Sequence, residues 1–246
     1  MRDDLPRITV GQGPPLVVLL FTPRAANPAG PARWSAMRML KPFTGHFTVH
    51  LLNRPPGLAP GTTMAELAAV YAAGFDGPAR VLGVSTGGSV AQQLAADRPD
   101  LVERLVLAGT AGTLGPIGKR AQRAYIDRAR QGRRPSPALA GLVTPSPLAR
   151  RLLSALLWLS DGSAGHSDAA TMLEAEDGFD LRGRLADIKA PTLLVHGEKD
   201  VVYPLELARQ TAAGIPGARL TVYAGRSHSG TFTDRRFAPD ALAFLT

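Results

Sequence analysis

A serine between glycines is the first feature of this sequence that suggests chemistry. Residues 83–88 read Gly-Val-Ser-Thr-Gly-Gly, at the end of the apolar run 79–84. In a G-x-S-x-G turn the chain leaves a strand and enters a helix so tightly that the central residue is exposed with strained dihedral angles. The flanking glycines are needed because side chains there would collide. The pattern predicts that Ser85 is a nucleophile and that the Thr86 amide, at a helix N-terminus, stabilises developing negative charge.

A serine hydroxyl is a poor nucleophile unless a base is held beside it. Asp200 follows the apolar run 192–196, and His228 follows the run 220–223. Both residues therefore fall in loops after strands, at the sheet edge where Ser85 is expected. In folds whose serine nucleophile follows a strand, the triad occurs along the chain in the order serine, acid, histidine, and these three residues have that order. The sequence predicts a triad in which Ser85 attacks, His228 takes its proton and Asp200 orients the imidazole.

Short aliphatic runs alternate with amphipathic stretches along most of the chain. Such alternation favours an α/β fold with a doubly wound, mostly parallel sheet. The predicted strands are 16–21, 47–52, 79–84, 105–108, 192–196 and 220–223, and the predicted helices are 32–40, 62–73, 85–96, 205–213 and 237–245.

The alternation of strand and helix patterns stops between residues 109 and 190. No strand pattern occurs there, and Gly and Pro recur along the segment. Helices are predicted at 119–130 and 148–159, and the segment is too long for a simple loop. We expect a core of residues 1–109 and 190–246, with residues 110–189 forming a helical lid over the strand ends. In this lid Trp158 is a candidate for lining the substrate pocket. Its acids Glu174, Glu176, Asp177 and Asp180 are interpreted as an exposed helix end, with recognition of a substrate amine as the alternative.

From Leu16 onward the sequence resembles the α/β-hydrolase superfamily, in its lid-bearing esterase, lipase and aminopeptidase branch. The resemblance is carried by the serine turn and by residues 190–200, Ala-Pro-Thr-Leu-Leu-Val-His-Gly-Glu-Lys-Asp. It implies esterase, thioesterase, lactonase, amidase or carbon–carbon bond hydrolase activity without a cofactor. It does not choose among these activities, because one fold carries many of them.

The sequence departs from the family in two places. Families of this type usually carry His-Gly at the end of the strand that corresponds to 16–20, where this chain has Phe21-Thr22. The next residue normally donates an amide to the oxyanion hole, but here it is Pro23, which has none. Thr22 is the first candidate for a substitute donor and Arg24 the second. The few residues before position 16 also leave little room for the family's N-terminal edge strands.

The composition limits which partners, compartments and cofactors we expect for this protein. The formal net charge is +8, and the densest basic stretch, residues 119–134, contains a single aromatic residue, Tyr125. Because base stacking needs interleaved aromatics, we expect no nucleic-acid partner. No apolar run approaches the ~20 residues that span a bilayer, and the N-terminus lacks a signal-peptide pattern. There is no cysteine. We therefore expect a cytoplasmic enzyme of undetermined oligomeric state that acts on a small molecule without a membrane, metal or cofactor.

Several functions are compatible with these residues. The first hypothesis is hydrolysis of a small ester, thioester or lactone through an acyl-enzyme. An aminopeptidase-like activity, or a carbon–carbon bond hydrolase or pathway cyclase using the same triad, is the alternative within enzymes. A scaffold that binds a small molecule without turning it over is the alternative outside them, and the replacement at 21–23 favours it.

Overall fold

The computed structural model describes residues 5–21, 28, 30–143, 146–161 and 166–246, and within them a single seven-stranded sheet. The strands are β1 (Arg7–Val10), β2 (Pro15–Leu20), β3 (Thr48–Leu52), β4 (Ala79–Val84), β5 (Val102–Ala108), β6 (Thr192–Gly197) and β7 (Arg219–Tyr223). Their order is β1-β3-β2-β4-β5-β6-β7, and every pair is parallel except β1 with β3.

Helices cover both faces of this sheet. The helices described are α1 (Gly30–Leu40), α2 (Met64–Ala72), α3 (Thr86–Asp97), α4 (Pro116–Arg130), α5 (Ala140–Val143), α6 (Pro147–Ser160), α7 (Ser167–Asp177), α8 (Leu205–Gly214), α9 (His228–Thr233) and α10 (Phe237–Leu245). Side chains of α2 and α3 join one apolar core, whereas α1 and α10 join the other. The predicted doubly wound, mostly parallel sheet is therefore confirmed.

The central strand β2 is apolar along its whole length because both of its faces are buried. On β2, Val17 and Leu19 enter the core beneath α2 and α3. Leu16 and Val18 point the other way, into the core beneath α1 and α10. This alternation fixes which side of the sheet each helix covers, and it leaves the carboxyl ends of the parallel strands along one edge.

One N-terminal edge strand is present, although little room was expected before position 16 for the family's edge strands. Strand β1 pairs antiparallel with β3, with Arg7 opposite Leu52 and Val10 opposite Val49. Only Ile8 of this strand is buried. Such a short, half-exposed segment carries almost no apolar pattern, so its pairing depends on the neighbouring strand rather than on its own sequence.

The regular secondary structure in the described part of the segment between β5 and β6 is helical, apart from an isolated bridge between Thr113 and Asp180. Helices α4 and α6 correspond to the predicted helices 119–130 and 148–159. Helix α7 was not predicted, and it packs against α4, α2 and α3. The segment is attached to the core through α7 and also through residues 182–187, which pack against α3 and α8.

Helix α6 turns its apolar stripe outward. The apolar positions 149, 152, 153, 156, 157 and 159 predict a stripe that faces either the sheet edge or the substrate. Of these side chains, Leu152, Leu156 and Leu159 are each more than 60% exposed. Only Leu153, Ser154 and Leu157 are half-buried among the side chains described on α6. Most of the stripe does not pack on the sheet edge, because α6 contacts α5 and the short turn at residues 136–139 instead. The substrate-facing alternative stays a prediction.

None of the helices in the described ranges is long and apolar enough to cross a membrane.

Candidate active site

Three side chains from separate loops meet at the carboxyl edge of the sheet. Ser85 follows β4, Asp200 follows β6 and His228 follows β7. The Ser85 Oγ lies 2.9 Å from His228 Nε2, and His228 Nδ1 lies 2.8 Å from Asp200 Oδ2. Both distances are those of hydrogen bonds. Parallel strands end at the same edge, and this is why residues separated by more than a hundred positions become neighbours.

The backbone at Ser85 is strained as the turn requires. Ser85 has φ +54° and ψ −127°, and it is the only non-glycine residue with positive φ in the described part of the chain. A Cβ at Gly83 would lie 2.7 Å from the Gly88 Cα, and one at Gly87 would lie 2.1 Å from the Leu19 carbonyl oxygen. The two glycines are thus required by the close approach of α3 to β2 and β4.

Asp200 is held on both of its oxygens. Its Oδ1 accepts the Val202 amide at 2.8 Å and the Tyr203 amide at 3.0 Å. Its side chain is fully buried, whereas that of His228 retains 12% exposure. With Nδ1–H donating to Asp200 Oδ2, the Nε2 of the neutral ring is an acceptor that faces the Ser85 hydroxyl.

The imidazole of His228 lies between two aromatic rings. Tyr203 stacks on it at 5.9 Å between ring centroids, and Phe232 meets it edge-on at 5.9 Å. These rings restrict the rotation of His228 while leaving its Nε2 directed at Ser85.

His196 lies beneath this site rather than in it. It is fully buried, and its Nε2–H donates to the Tyr203 carbonyl at 2.7 Å. Burial lowers the pKa of His196, although the Asp200 carboxylate acts in the opposite direction. A neutral, buried His196 therefore supports the loop that carries Asp200.

Part of the predicted oxyanion hole lies in the described chain. Thr86 is the first residue of α3. The first amides of a helix have no hydrogen-bond partner within the helix, so the Thr86 amide is placed to donate elsewhere. Phe21 is half-buried and packs between two apolar clusters. Thr22, Pro23 and Arg24 lie outside the described residues, so the second donor stays a prediction.

Trp158 is 48% exposed on the outward-turned helix α6. The Arg134 guanidinium lies 4.0 Å from the centroid of its ring and donates to its carbonyl at 2.7 Å. The role of Trp158 in a substrate pocket stays a prediction.

The interpretation of the four acids as an exposed helix end is wrong for Glu176, which is fully buried. The Thr86 hydroxyl donates to Glu176 at 2.8 Å and the Ser89 hydroxyl at 2.7 Å. The Gln122 amide and the Tyr203 hydroxyl also donate to it. A signal existed in the sequence, because Glu176 lies at helical spacing from Ala169, Met172 and Leu173, on the apolar face of α7.

The other three acids pair with arginines: Glu174 with Arg130, Asp177 with Arg123 and Asp180 with Arg182. No group of three or more His, Asp or Glu side chains in the described part of the chain is arranged to hold a metal ion.

A cleft of about 680 Å³ opens between α1 and the α9–α10 region. Leu20, Ala36, Met39 and Phe237 contribute to its mostly apolar wall, and Phe232 connects it to the imidazole of His228. Its volume lies in the range of small-molecule sites.

We expect Gly87→Ala to destabilise the fold, because the new Cβ would clash with the Leu19 carbonyl oxygen. Overpacking of this kind costs typically about 1–3 kcal/mol, and thermal unfolding measures it. Gly183→Ala is the matched control, since no atom lies within 4 Å of a Cβ at that position. Equal melting temperatures for the two variants would contradict the close-approach explanation.

Comparison with known proteins identifies relatives of this chain. The family described as serine aminopeptidase, S33, matches residues 65–235. A pimeloyl-[acyl-carrier protein] methyl ester esterase of Chromobacterium violaceum is 31% identical over 237 residues, which cover 90% of this chain and 89% of that protein. The polyketide synthase ThaQ of Burkholderia thailandensis is 33% identical over 207 residues, covering 79% of this chain but only 10% of the synthase.

Among solved structures, a hydrolase from Pseudomonas aeruginosa superimposes with a TM-score of 0.73 at 27% identity. The superposition covers 97% of this chain and 93% of that one. The sheet order, the serine turn and these relatives agree. The chain belongs to the serine aminopeptidase S33 family of the α/β-hydrolase superfamily, and it is an α/β-hydrolase enzyme.

Proposed function

We propose that this hydrolase cleaves a small ester, thioester or lactone through an acyl-enzyme formed on Ser85. The observation that carries the proposal is the unbroken line of hydrogen bonds from Ser85 through His228 to Asp200, at 2.9 and 2.8 Å. A nucleophile, a base and a group that orients the base are what acyl transfer needs from a protein.

In the first half-reaction Ser85 Oγ attacks the carbonyl carbon of the substrate and its proton passes to His228 Nε2. The imidazolium that forms is stabilised by Asp200. The tetrahedral oxyanion accepts a hydrogen bond from the Thr86 amide. Collapse of this intermediate breaks the carbon–oxygen or carbon–sulfur bond. The leaving group takes the proton from His228, and the acyl group remains on Ser85.

In the second half-reaction a water molecule replaces the leaving group. His228 removes a proton from the water as it attacks the acyl carbon, and a second tetrahedral intermediate forms. Its collapse returns the proton to Ser85 Oγ and releases the acid. The same acceptor nitrogen thus serves both halves of the cycle.

Two further observations support an ester as substrate. The Chromobacterium relative is named for hydrolysis of a methyl ester, and its similarity extends over nine-tenths of this chain. The apolar cleft next to Phe232 offers room for an acyl chain of modest length.

An aminopeptidase-like activity is less well supported, despite the family's description. The acids that would hold a substrate amine are Glu174, Glu176, Asp177 and Asp180. Glu176 accepts four side-chain donors and the others pair with arginines, so each already has partners. A binding-only scaffold has little support too, because binding a small molecule does not need the complete triad.

We also propose that residues 110–189 act as a lid domain on a core of residues 1–109 and 190–246. The supporting observation is the attachment of α7 to α3, the helix that begins at the nucleophile. Thr22 and Arg24 remain the proposed second oxyanion donors, since Thr86 supplies only one amide.

We expect Ser85→Ala to abolish ester hydrolysis without unfolding the protein, because the side chain lies at the sheet edge and contributes little packing. A fluorophosphonate probe should label the unaltered protein at Ser85 and leave the variant unlabelled. Ser154→Ala, on α6, is the control that should label normally. Hydrolysis at the original rate in Ser85→Ala would rule out this nucleophile.

Asp200→Asn should lower kcat by orders of magnitude, up to roughly 10⁴-fold, as in the well-studied serine protease. The amide cannot hold the imidazole in the required tautomer. Asp187→Asn, at an exposed acid paired with Arg184, should keep the original kcat. Similar kcat values for the two variants would mean that a different acid orients His228.

Ester substrates should be preferred over aminoacyl amides. We expect kcat/KM for p-nitrophenyl esters of short acids to exceed that for aminoacyl p-nitroanilides by at least about tenfold, since the acids near α7 already have partners. Both substrates release chromophores, so one instrument compares them. A higher kcat/KM for the aminoacyl compounds would favour the aminopeptidase alternative.

A further inference from the structure

A buried acid joins the nucleophile's helix to the helical segment 110–189. Glu176 has no exposed surface, and two side chains donate to each of its carboxylate oxygens. Thr86 and Gln122 donate to Oε2, whereas Ser89 and Tyr203 donate to Oε1. An ionised carboxyl group accepts about four hydrogen bonds. Both oxygens of Glu176 are therefore saturated by the protein itself.

The four donors come from three different parts of the fold. Thr86 and Ser89 lie one turn apart at the start of α3, Gln122 lies on α4, and Tyr203 lies between β6 and α8. All four are more than nine-tenths buried. Removal of an acceptor from such a site leaves buried donors unsatisfied, and this costs more than the bond was worth.

Two of these donors are also attached to the reacting groups. Thr86 carries the amide proposed for the oxyanion, and its hydroxyl bond to Glu176 restrains the first turn of α3. Tyr203 stacks on the His228 ring, and its amide donates to Asp200. Glu176 thus contacts none of the triad residues directly but restrains a neighbour of each one.

The phenol of Tyr203 is a donor in this network. Burial, and after it the neighbouring Glu176 carboxylate, raises the pKa of Tyr203 well above its ordinary value. A neutral phenol keeps its proton for Glu176, so the ring above His228 is fixed at its hydroxyl end.

We propose that Glu176 is a positioning residue of the hydrolytic reaction, which holds the Thr86 amide and the Tyr203 ring in place for Ser85 and His228. This inference rests on the proposed function. Displacement of a reacting group by about 1 Å can cost roughly 10²-fold in rate. The effect should therefore appear in the chemical step rather than in substrate binding, because Glu176 is closed off from any substrate.

Glu176→Gln tests the inference with almost no change in side-chain volume. The new NH₂ group faces two groups that donate to the carboxylate, so each of those hydrogen bonds must be lost or must reverse, with a hydroxyl turning to accept. Tyr203→Phe removes the hydroxyl that reaches Glu176 but keeps the stacked ring and the amide bound to Asp200. Glu174→Gln is the matched control, since this acid on the same helix pairs with Arg130 and touches none of the four donors.

The measurement is the rate constant for acylation by a p-nitrophenyl ester, per active site titrated, together with KM and the melting temperature. We expect Glu176→Gln to acylate about 10- to 100-fold more slowly, with KM changed less than about twofold. Tyr203→Phe should also slow acylation, by a smaller factor, and it decides the matter if Glu176→Gln does not fold. Glu174→Gln should acylate at the original rate.

Different results separate the two proposals. If the unaltered protein is not labelled at Ser85 by a fluorophosphonate, the proposed function fails and this inference fails with it. If Ser85 is labelled but Glu176→Gln and Tyr203→Phe both acylate at the original rate per titrated site, only this inference is overturned. A lowered melting temperature with unchanged acylation would then make Glu176 a structural anchor.

Discussion

The close approach of α3 to the end of β2 is the constraint on which the site depends. The Gly87 backbone lies so near the Leu19 carbonyl that no side chain fits between them. The chain can reach this position only by turning sharply at Ser85, whose φ of +54° is the cost of the turn. The Ser85 amide donates to the Ala108 carbonyl of β5 at 3.0 Å. A strained residue is thereby held by its neighbours on both sides, and its hydroxyl lies within hydrogen-bond distance of His228 Nε2.

The loops that carry Asp200 and His228 are fixed to each other in a comparable way. A Cβ at Gly197, at the end of β6, would lie 2.5 Å from the Arg226 carbonyl in the loop after β7. The Lys199 amide donates to that same carbonyl at 2.8 Å. Asp200 and His228 therefore approach one another through backbone contacts. The hydrogen bond between their side chains completes an arrangement that the two loops have already made.

Tyr203 connects these loops to the remainder of the molecule. Its amide holds Asp200, its carbonyl accepts from His196, its ring stacks on His228 and its hydroxyl donates to Glu176. Because Tyr203 contacts both His228 and Glu176, it links the orientation of the His228 ring to the helical segment 110–189. This residue therefore connects the segment 110–189 with the cluster of Ser85, His228 and Asp200.

Local sequence determined the parts of this protein whose structure depends on near neighbours in the chain. The glycines around Ser85, the aliphatic runs and the positions of Asp200 and His228 after strands were enough to predict a doubly wound sheet and to bring three side chains to one edge. Only the tertiary structure supplied the donors that allow Glu176 to be buried, the pairing of β1 and the outward face of α6. An acid on an apolar helix face is stable only where buried donors converge on it, and those donors come from α3, α4 and the loop after β6. A leucine stripe is likewise buried only if another element covers it, and no pattern within α6 specifies that element.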